Sequence, residues 1–293
     1  MKYVYTLLSL AMMAFVSVAC TETLPSDDPD TEATFDAPAH LNEAVKMTVT
    51  TPESIYKSLE MTESGLYIIR TKDDLLMLGD YRFNQPTYTC QNFGDVEVIE
   101  AVTRADKVET VPSRITIRRT GESPVTVDVT VVKGSSTTDS GTLDKLCRTW
   151  VPQKTIISVT GGSLPASLGV AHAETGCDLP GILSYLAGNG LELDVDLSGY
   201  VVKDVTFTRA GTFLIRFSGA DPYEGEYQLN ADCFFRYTLD GAQIGNPLIN
   251  ASAEGNVGFE KADGKSVCEI TLRSQVDADA GYVGKIILRL IEK

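Results

Sequence analysis

From Leu191 to Lys293 the sequence is a run of short segments with strand character: LELDVDL, VVKDVTFT, TFLIRF, EYQLN, CFFRYTL, VGFEK, SVCEITLRS and VGKIILRLIE. Turn-forming stretches such as TRAG, LDG and ADGK separate them. Short strands at close, regular spacing leave few folds open, and an antiparallel sandwich or barrel is the expectation. The final segment is itself a strand with no polar tail after it, so the last strand is expected to close the sheet.

The first half has the same character with one interruption. Val125, Val127, Val129 and Val131 alternate with Thr126, Asp128 and Thr130. Strict period two marks a half-buried strand, and TGES before it makes a hairpin turn. GLYIIR, YTCQNFGDVEVIE and SRITIRRT read as further strands. TTPESIYKSLEM reads instead as a short helix, with Thr51 as N-cap, Pro52 at the first helical position, and Ile55 and Leu59 on one face. Residues 40–133 are therefore expected to form a small α+β or mostly β domain. Gly, Ser and Thr dominate KGSSTTDSG, which predicts a linker over 134–141.

A second domain is expected over 142–293. It opens with TLDKLCRTW, where Leu143, Leu146, Cys147 and Trp150 fall at helical spacing. Pro152 should end that helix, and KTIISV should begin a strand. DLPGILSYLAGNG reads as a second helix: Asp178 caps it, Ile182, Leu183 and Leu186 face inward, and Gly188 or Gly190 stops it. The fold class expected for the whole chain is mainly β with short helices.

At the other end, Lys2 is the only charge before Cys20, and Val4–Ala19 is apolar or small. That is the pattern of a secretory signal over 1–19, too short for a spanning helix. SVAC, ending at Cys20, resembles the bacterial lipobox, although Ser17 stands where Leu is usual. The resemblance implies acylation of Cys20. Residues 20–39 are acidic and Pro-rich and lack the apolar surface to fold, so they are expected to be a flexible tether. SDDPD (Ser26 to Asp30) resembles the acidic export signal of Bacteroidetes lipoproteins. The implied location is the cell envelope, on the outer membrane and facing outward, with the acyl chain as the membrane contact.

The formal charge of −15 argues against a nucleic-acid partner, which needs a basic stripe to release counterions. It also argues against direct adsorption on anionic lipid. Five cysteines follow Cys20: Cys90, Cys147, Cys177, Cys233 and Cys268. An odd number cannot pair fully within one chain, and none forms C-x-x-C. Buried free thiols are the first reading and a single disulfide the alternative.

Catalytic patterns are sparse. HAE (His172 to Glu174) matches half of the zinc deaminase signature, but P-C-x-x-C is missing and zinc would lack two ligands. DVDLSG (Asp194 to Gly199) begins like a calcium loop, yet position twelve is Val205 rather than Glu. A strand with an acidic face explains it equally. There is no G-x-S-x-G, P-loop or G-x-G-x-x-G. Asp221, Glu224 and Glu226 cluster in GADPYEGEY, where a glycosidase pair would need a set separation; Tyr223 and Tyr227 nearby offer a sugar platform, or Tyr227 a core position. No enzyme activity, cofactor or metal is expected.

The helix carrying LCRTW, followed by VTFTRAGTFLIRF, GEYQL, FFRYTL and VCEITL, resembles the lipocalin-like domains of Bacteroidetes lipoproteins. Phe207 to Phe213 supplies their F-x-x-x-G-T-F segment as FTRAGTF. The usual Gly ahead of the Trp is absent, since CRTW has Arg148 there. The match covers 142–293. It implies an antiparallel meander barrel in which Trp150 plugs one end or lines a ligand site. The expected function is a non-enzymatic surface lipoprotein with a binding or scaffolding role. A carrier of a small apolar ligand is the alternative, and a glycan-binding or hydrolytic surface protein a further one.

Overall fold

The structure, a computed structural model, describes residues 45–62, 64–99, 110–133, 140–161, 165–190, 198–229, 234–239, 251–277 and 282–293. The chain divides between 136 and 137 into two compact units.

The N-terminal unit is a closed barrel of eight antiparallel strands. These are β1 (Val45–Val49), β2 (Tyr56–Met61), β3 (Leu66–Thr71), β4 (Leu76–Asn84), β5 (Thr87–Cys90), β6 (Gly94–Val98), β7 (Thr110–Arg119) and β8 (Val125–Lys133). Each pairs with the next, and β8 returns to β1 from Val45↔Lys133 to Val49↔Val129. Closure removes the unpaired edges that would otherwise template aggregation. Period two decides which side chains fill the interior: Val127, Val129 and Val131 are buried, while Val125 at the strand entrance is exposed.

The helix expected over TTPESIYKSLEM does not form. Tyr56–Met61 is strand β2, with Tyr56, Leu59 and Met61 buried in the barrel core. The Thr51 hydroxyl that would have capped a helix is used elsewhere, as is that of its neighbour Thr50. Thr51 Oγ1 accepts from the Asp128 backbone N–H at 2.8 Å, and Thr50 Oγ1 donates to the Asp128 carbonyl at 3.1 Å. Long-range burial of alternate residues overrides the local helical signal. Among the described residues this unit is all β.

The C-terminal unit holds α1 (Ser140–Leu146), β9 (Thr149–Thr160), a 3-10 turn (Ala166–Gly169), β10 (His172–Thr175) and α2 (Leu179–Gly188). A meander follows: β11 (Val202–Phe207), β12 (Thr212–Phe217), β13 (Tyr223–Leu229), β14 (Phe234–Leu239), β15 (Ala251–Ala262), β16 (Lys265–Asp277) and β17 (Tyr282–Glu292). LELDVDL lies outside the described residues. Strand β17 pairs with β9 from Val283↔Thr160 to Glu292↔Trp150, so the last strand does close the sheet. On its other edge β9 pairs with β11 at its start and with β10 further along. The ring of β9 and β11–β17 is an antiparallel meander consistent with a lipocalin-like barrel.

The opening helix is shorter than expected. It ends at Leu146, and Trp150 lies in β9. The i, i+4 relation survives through the side chain: Trp150 Nε1–H donates to the Leu146 carbonyl at 2.8 Å. That bond satisfies one of the carbonyls a helix C-terminus leaves without a partner. Pro152 does not end the helix either. It sits within β9 beside a bulge, where the register with β17 slips between Arg289 and Leu290. A bulge tolerates the missing N–H. The second helix forms as expected, with Asp178 Oδ1 accepting from Gly181 N–H at 3.2 Å.

Aromatic rings run through the C-terminal core. Phe207 packs edge-on to Tyr227 at 5.3 Å, Phe213 lies 5.8 Å from Tyr223, and Phe217 meets Tyr200 at 5.1 Å. All six are buried. The side chains of Phe234, Phe235 and Tyr237 lie outside the described ones.

Candidate functional site

Trp150 is 0% exposed. Its ring lies 6.4 Å from Phe259, and the Arg148 guanidinium stands 5.7 Å above it. Arg148 also donates to Glu292 Oε1 at 2.7 Å and to the Asp144 carbonyl at 2.8 Å. Helix α1, the start of β9 and the end of β17 are joined at this one point. A hydrogen bond from Ser266, reinforced by Arg148, holds the Glu292 carboxyl below its ordinary value of 4.5.

A second ionic cluster lies close by. Asp204, 1% exposed, accepts two bonds from Arg216, at 2.6 and 2.7 Å, and one from Lys293 Nζ at 3.1 Å. Asp204 and Arg216 face each other in the β11–β12 register. The sequence reading missed this cluster, because only that register brings the two together.

His172 and Glu174 share one side of β10. His172 Nε2 lies 2.6 Å from Glu174 Oε1, and its ring stacks on Tyr185 of α2 at 3.9 Å and 8°. Tyr185 OH in turn donates to the Ser167 carbonyl at 3.2 Å. The pair therefore fastens α2 and the 3-10 turn to β10. Among the described residues no group of three or more His, Cys, Asp or Glu is placed to hold a metal.

The carboxylates of GADPYEGEY do not converge with the nearby tyrosines. Tyr223 and Tyr227 are core residues on the inner face of β13, and Glu224 and Glu226 take the alternate positions. Tyr227 is thus a core position and the sugar platform does not form. Cys90, Cys147, Cys177 and Cys268 are free thiols. Burial pushes Cys90 and Cys177 up to about 12 and raises Cys268 as well. Cys90, Cys177 and Cys268 are small hydrophobes rather than nucleophiles. Cys20, Cys233 and Asp194 lie outside the described residues.

One concave feature lies on the outer wall of the C-terminal barrel, where β10, β9, β17 and β16 adjoin. It is a groove of about 680 Å³ lined by Gln153, Lys154, Ile156, Ala173, Glu174, Thr175, Glu269 and Arg289. Gln153 is the extra residue of the β9 bulge, and its side chain accepts from Arg289 Nε–H at 3.1 Å. Arg289 also pairs with Glu260 and lies 3.8 Å from Glu269. Bulges re-aim side chains at strand surfaces, and this one holds the guanidinium at the groove. Residues from four separate strands meet here, so no local motif announces it.

Compared with models of known protein families the chain matches none, and no curated protein matches it.

Proposed function

We propose that this chain is a non-enzymatic lipoprotein of the cell envelope, anchored through Cys20, whose two barrels serve a binding or scaffolding role. The observation that carries the reading is the packing of the barrel interiors. Trp150, Tyr223, Tyr227 and Phe213 occupy the C-terminal core, and Met47, Leu59, Met61 and Tyr81 the N-terminal one. Interiors filled with side chains leave outer walls and loops as the working surface. Other features support the same reading. His172, the one histidine among the described residues, is engaged with Glu174 and Tyr185. The buried thiols are held protonated. The attachment rests on the apolar run before Cys20 and the acidic stretch after it.

Fractionation of cells expressing the chain and its Cys20→Ala variant tests this, with incorporation of labelled palmitate as second readout. The chain is expected in the membrane fraction and labelled, and the variant soluble and unlabelled. Equal distribution of the two would overturn the reading. The alternative, carriage of a small apolar ligand, would show as fatty-acid quenching of Trp150 fluorescence in the folded protein.

A further inference from the structure

Helix α2 runs to Gly188, with Asn189 as its C-cap and Gly190 just beyond. Of the eight asparagines in the chain, Asn189 alone is followed by glycine. Its side-chain carbonyl carbon, an electrophile, therefore lies next in sequence to a backbone nitrogen that no side chain shields. Gly190 is exposed and has φ +85°, the left-handed conformation common just past a helix. Asn189 is half-buried, at φ −104° and ψ 17°. Short-range bonds hold this last turn. Asn189 N–H donates to the Leu186 carbonyl at 3.1 Å, and Gly190 N–H to the Ala187 carbonyl at 3.0 Å. Both span three residues, the tightened pattern of helix ends, whose hydrogen-bond geometry is poorer than that of the α-helical ladder. Such ends fray at little cost.

The Asn189 side chain is a working part of that end. Its Nδ2–H donates to the Tyr185 carbonyl at 2.8 Å, one of the carbonyls a helix C-terminus leaves without a partner. Tyr185 in turn stacks on His172 of β10, and its hydroxyl donates to the Ser167 carbonyl. The amide thus stands behind the contacts that fasten α2 to β10 and to the 3-10 turn. The other described asparagines are placed differently. Asn84 and Asn256 lie in strands and are paired across the sheet, and Asn92 precedes the buried Phe93.

We propose that Asn189–Gly190 is a site of spontaneous, backbone-assisted deamidation, and that the change loosens the grip of α2 on β10. The Gly190 backbone nitrogen attacks Asn189 Cγ. A bond forms between that nitrogen and Cγ, the Cγ–Nδ2 bond breaks, and ammonia leaves with the Gly190 amide proton. Water then opens the cyclic imide at either carbonyl, giving aspartate or isoaspartate. In the closed turn the Gly190 N–H is committed to Ala187. The reaction therefore runs through the frayed turn, and its rate follows the opening of the helix end. The product undoes the latch. A carboxylate has no proton to donate to the Tyr185 carbonyl, and it places negative charge at the negative end of the helix dipole. Isoaspartate also adds a methylene to the main chain, which moves Gly190 away from Ala187.

Peptide mass spectrometry of the full-length chain, aged in warm, mildly alkaline buffer, tests this. The peptide carrying Asn189 is expected to convert from amide to acid faster than that carrying any other asparagine. Conversion should be about tenfold slower in the folded chain than in the chain unfolded in urea, because the frayed turn is the minor state. Asn189→Gln, whose longer side chain closes the ring poorly, should show no conversion at this position. Asn189→Asp supplies the product without ageing, and its α2 amides should exchange hydrogen several-fold faster than those of the parent. Unchanged Trp150 fluorescence shows that each variant is folded. Should Asn189→Asp not fold, exchange in the aged parent gives the same reading. Conversion at Asn189 no faster than elsewhere, equal rates in the folded and unfolded chain, or α2 exchange at the parent's rate after the change would each overturn the proposal. None of these outcomes bears on the anchoring through Cys20 proposed above.

Discussion

At the residue scale, Trp150 has the largest consequence. It fills core volume, closes the carbonyl end of α1 and supports the Arg148–Glu292 pair. Trp150→Ala should cost about 3–5 kcal/mol in denaturant unfolding, and the native emission should be blue-shifted. Emission like that of free tryptophan in water would contradict the burial. Asp204 makes a different prediction. Arg216→Ala leaves a buried carboxylate with only Lys293 beside it, and should cost about 3 kcal/mol. Glu292 sets a pH dependence. Its folded pKa is depressed, so its contribution is complete above the ordinary value of 4.5 and is lost as pH falls through the lower folded value. Stability measured between pH 6 and pH 3 should fall at the acid end, and Glu292→Gln should flatten that fall.

At the element scale, the close approach of β15 and β16 depends on one glycine. A Cβ on Gly255 would sit 1.7 Å from the Thr271 carbonyl oxygen, a backbone atom that cannot step aside without breaking the pairing. Gly255→Ala should therefore destabilise by about 3 kcal/mol or more, the upper range of overpacking, and a melting temperature unchanged from the parent would refute the geometry. The second helix was readable from the chain because its signals are local. Asp178 caps it, proline occupies its first turn, and Leu179, Ile182 and Leu186 follow on one face. The segment around Tyr56 carried equally good local signals and became a strand. Its cap hydroxyl was taken by Asp128, seventy-seven positions away, and its apolar residues by the barrel core.

At the scale of the whole molecule, the chain divides between 136 and 137, within the Gly-, Ser- and Thr-rich stretch that composition marks as a linker. Such stretches are preferred sites of nicking. Limited proteolysis should cut first between 134 and 141 and release a C-terminal fragment that retains blue-shifted Trp150 emission. First cuts inside a strand of either barrel would count against two independently folded units.

Period two along the strands, turn chemistry such as ADGK at 262–265, and a sequence without long apolar stretches after Cys20 were sufficient by themselves to make this a mainly β, two-unit protein. Alternation is a property of neighbours, and a chain carries it before it folds. Closure of both barrels, the Asp204–Arg216–Lys293 cluster and the outer-wall groove are of another kind. Each depends on which strand lies beside which and at what register. Shifting β17 by one residue against β9 would keep every local pattern intact and still turn Arg289 away from Lys154. Register is chosen by the burial of one whole sheet face at once, which is why only the tertiary structure could decide where those charges meet.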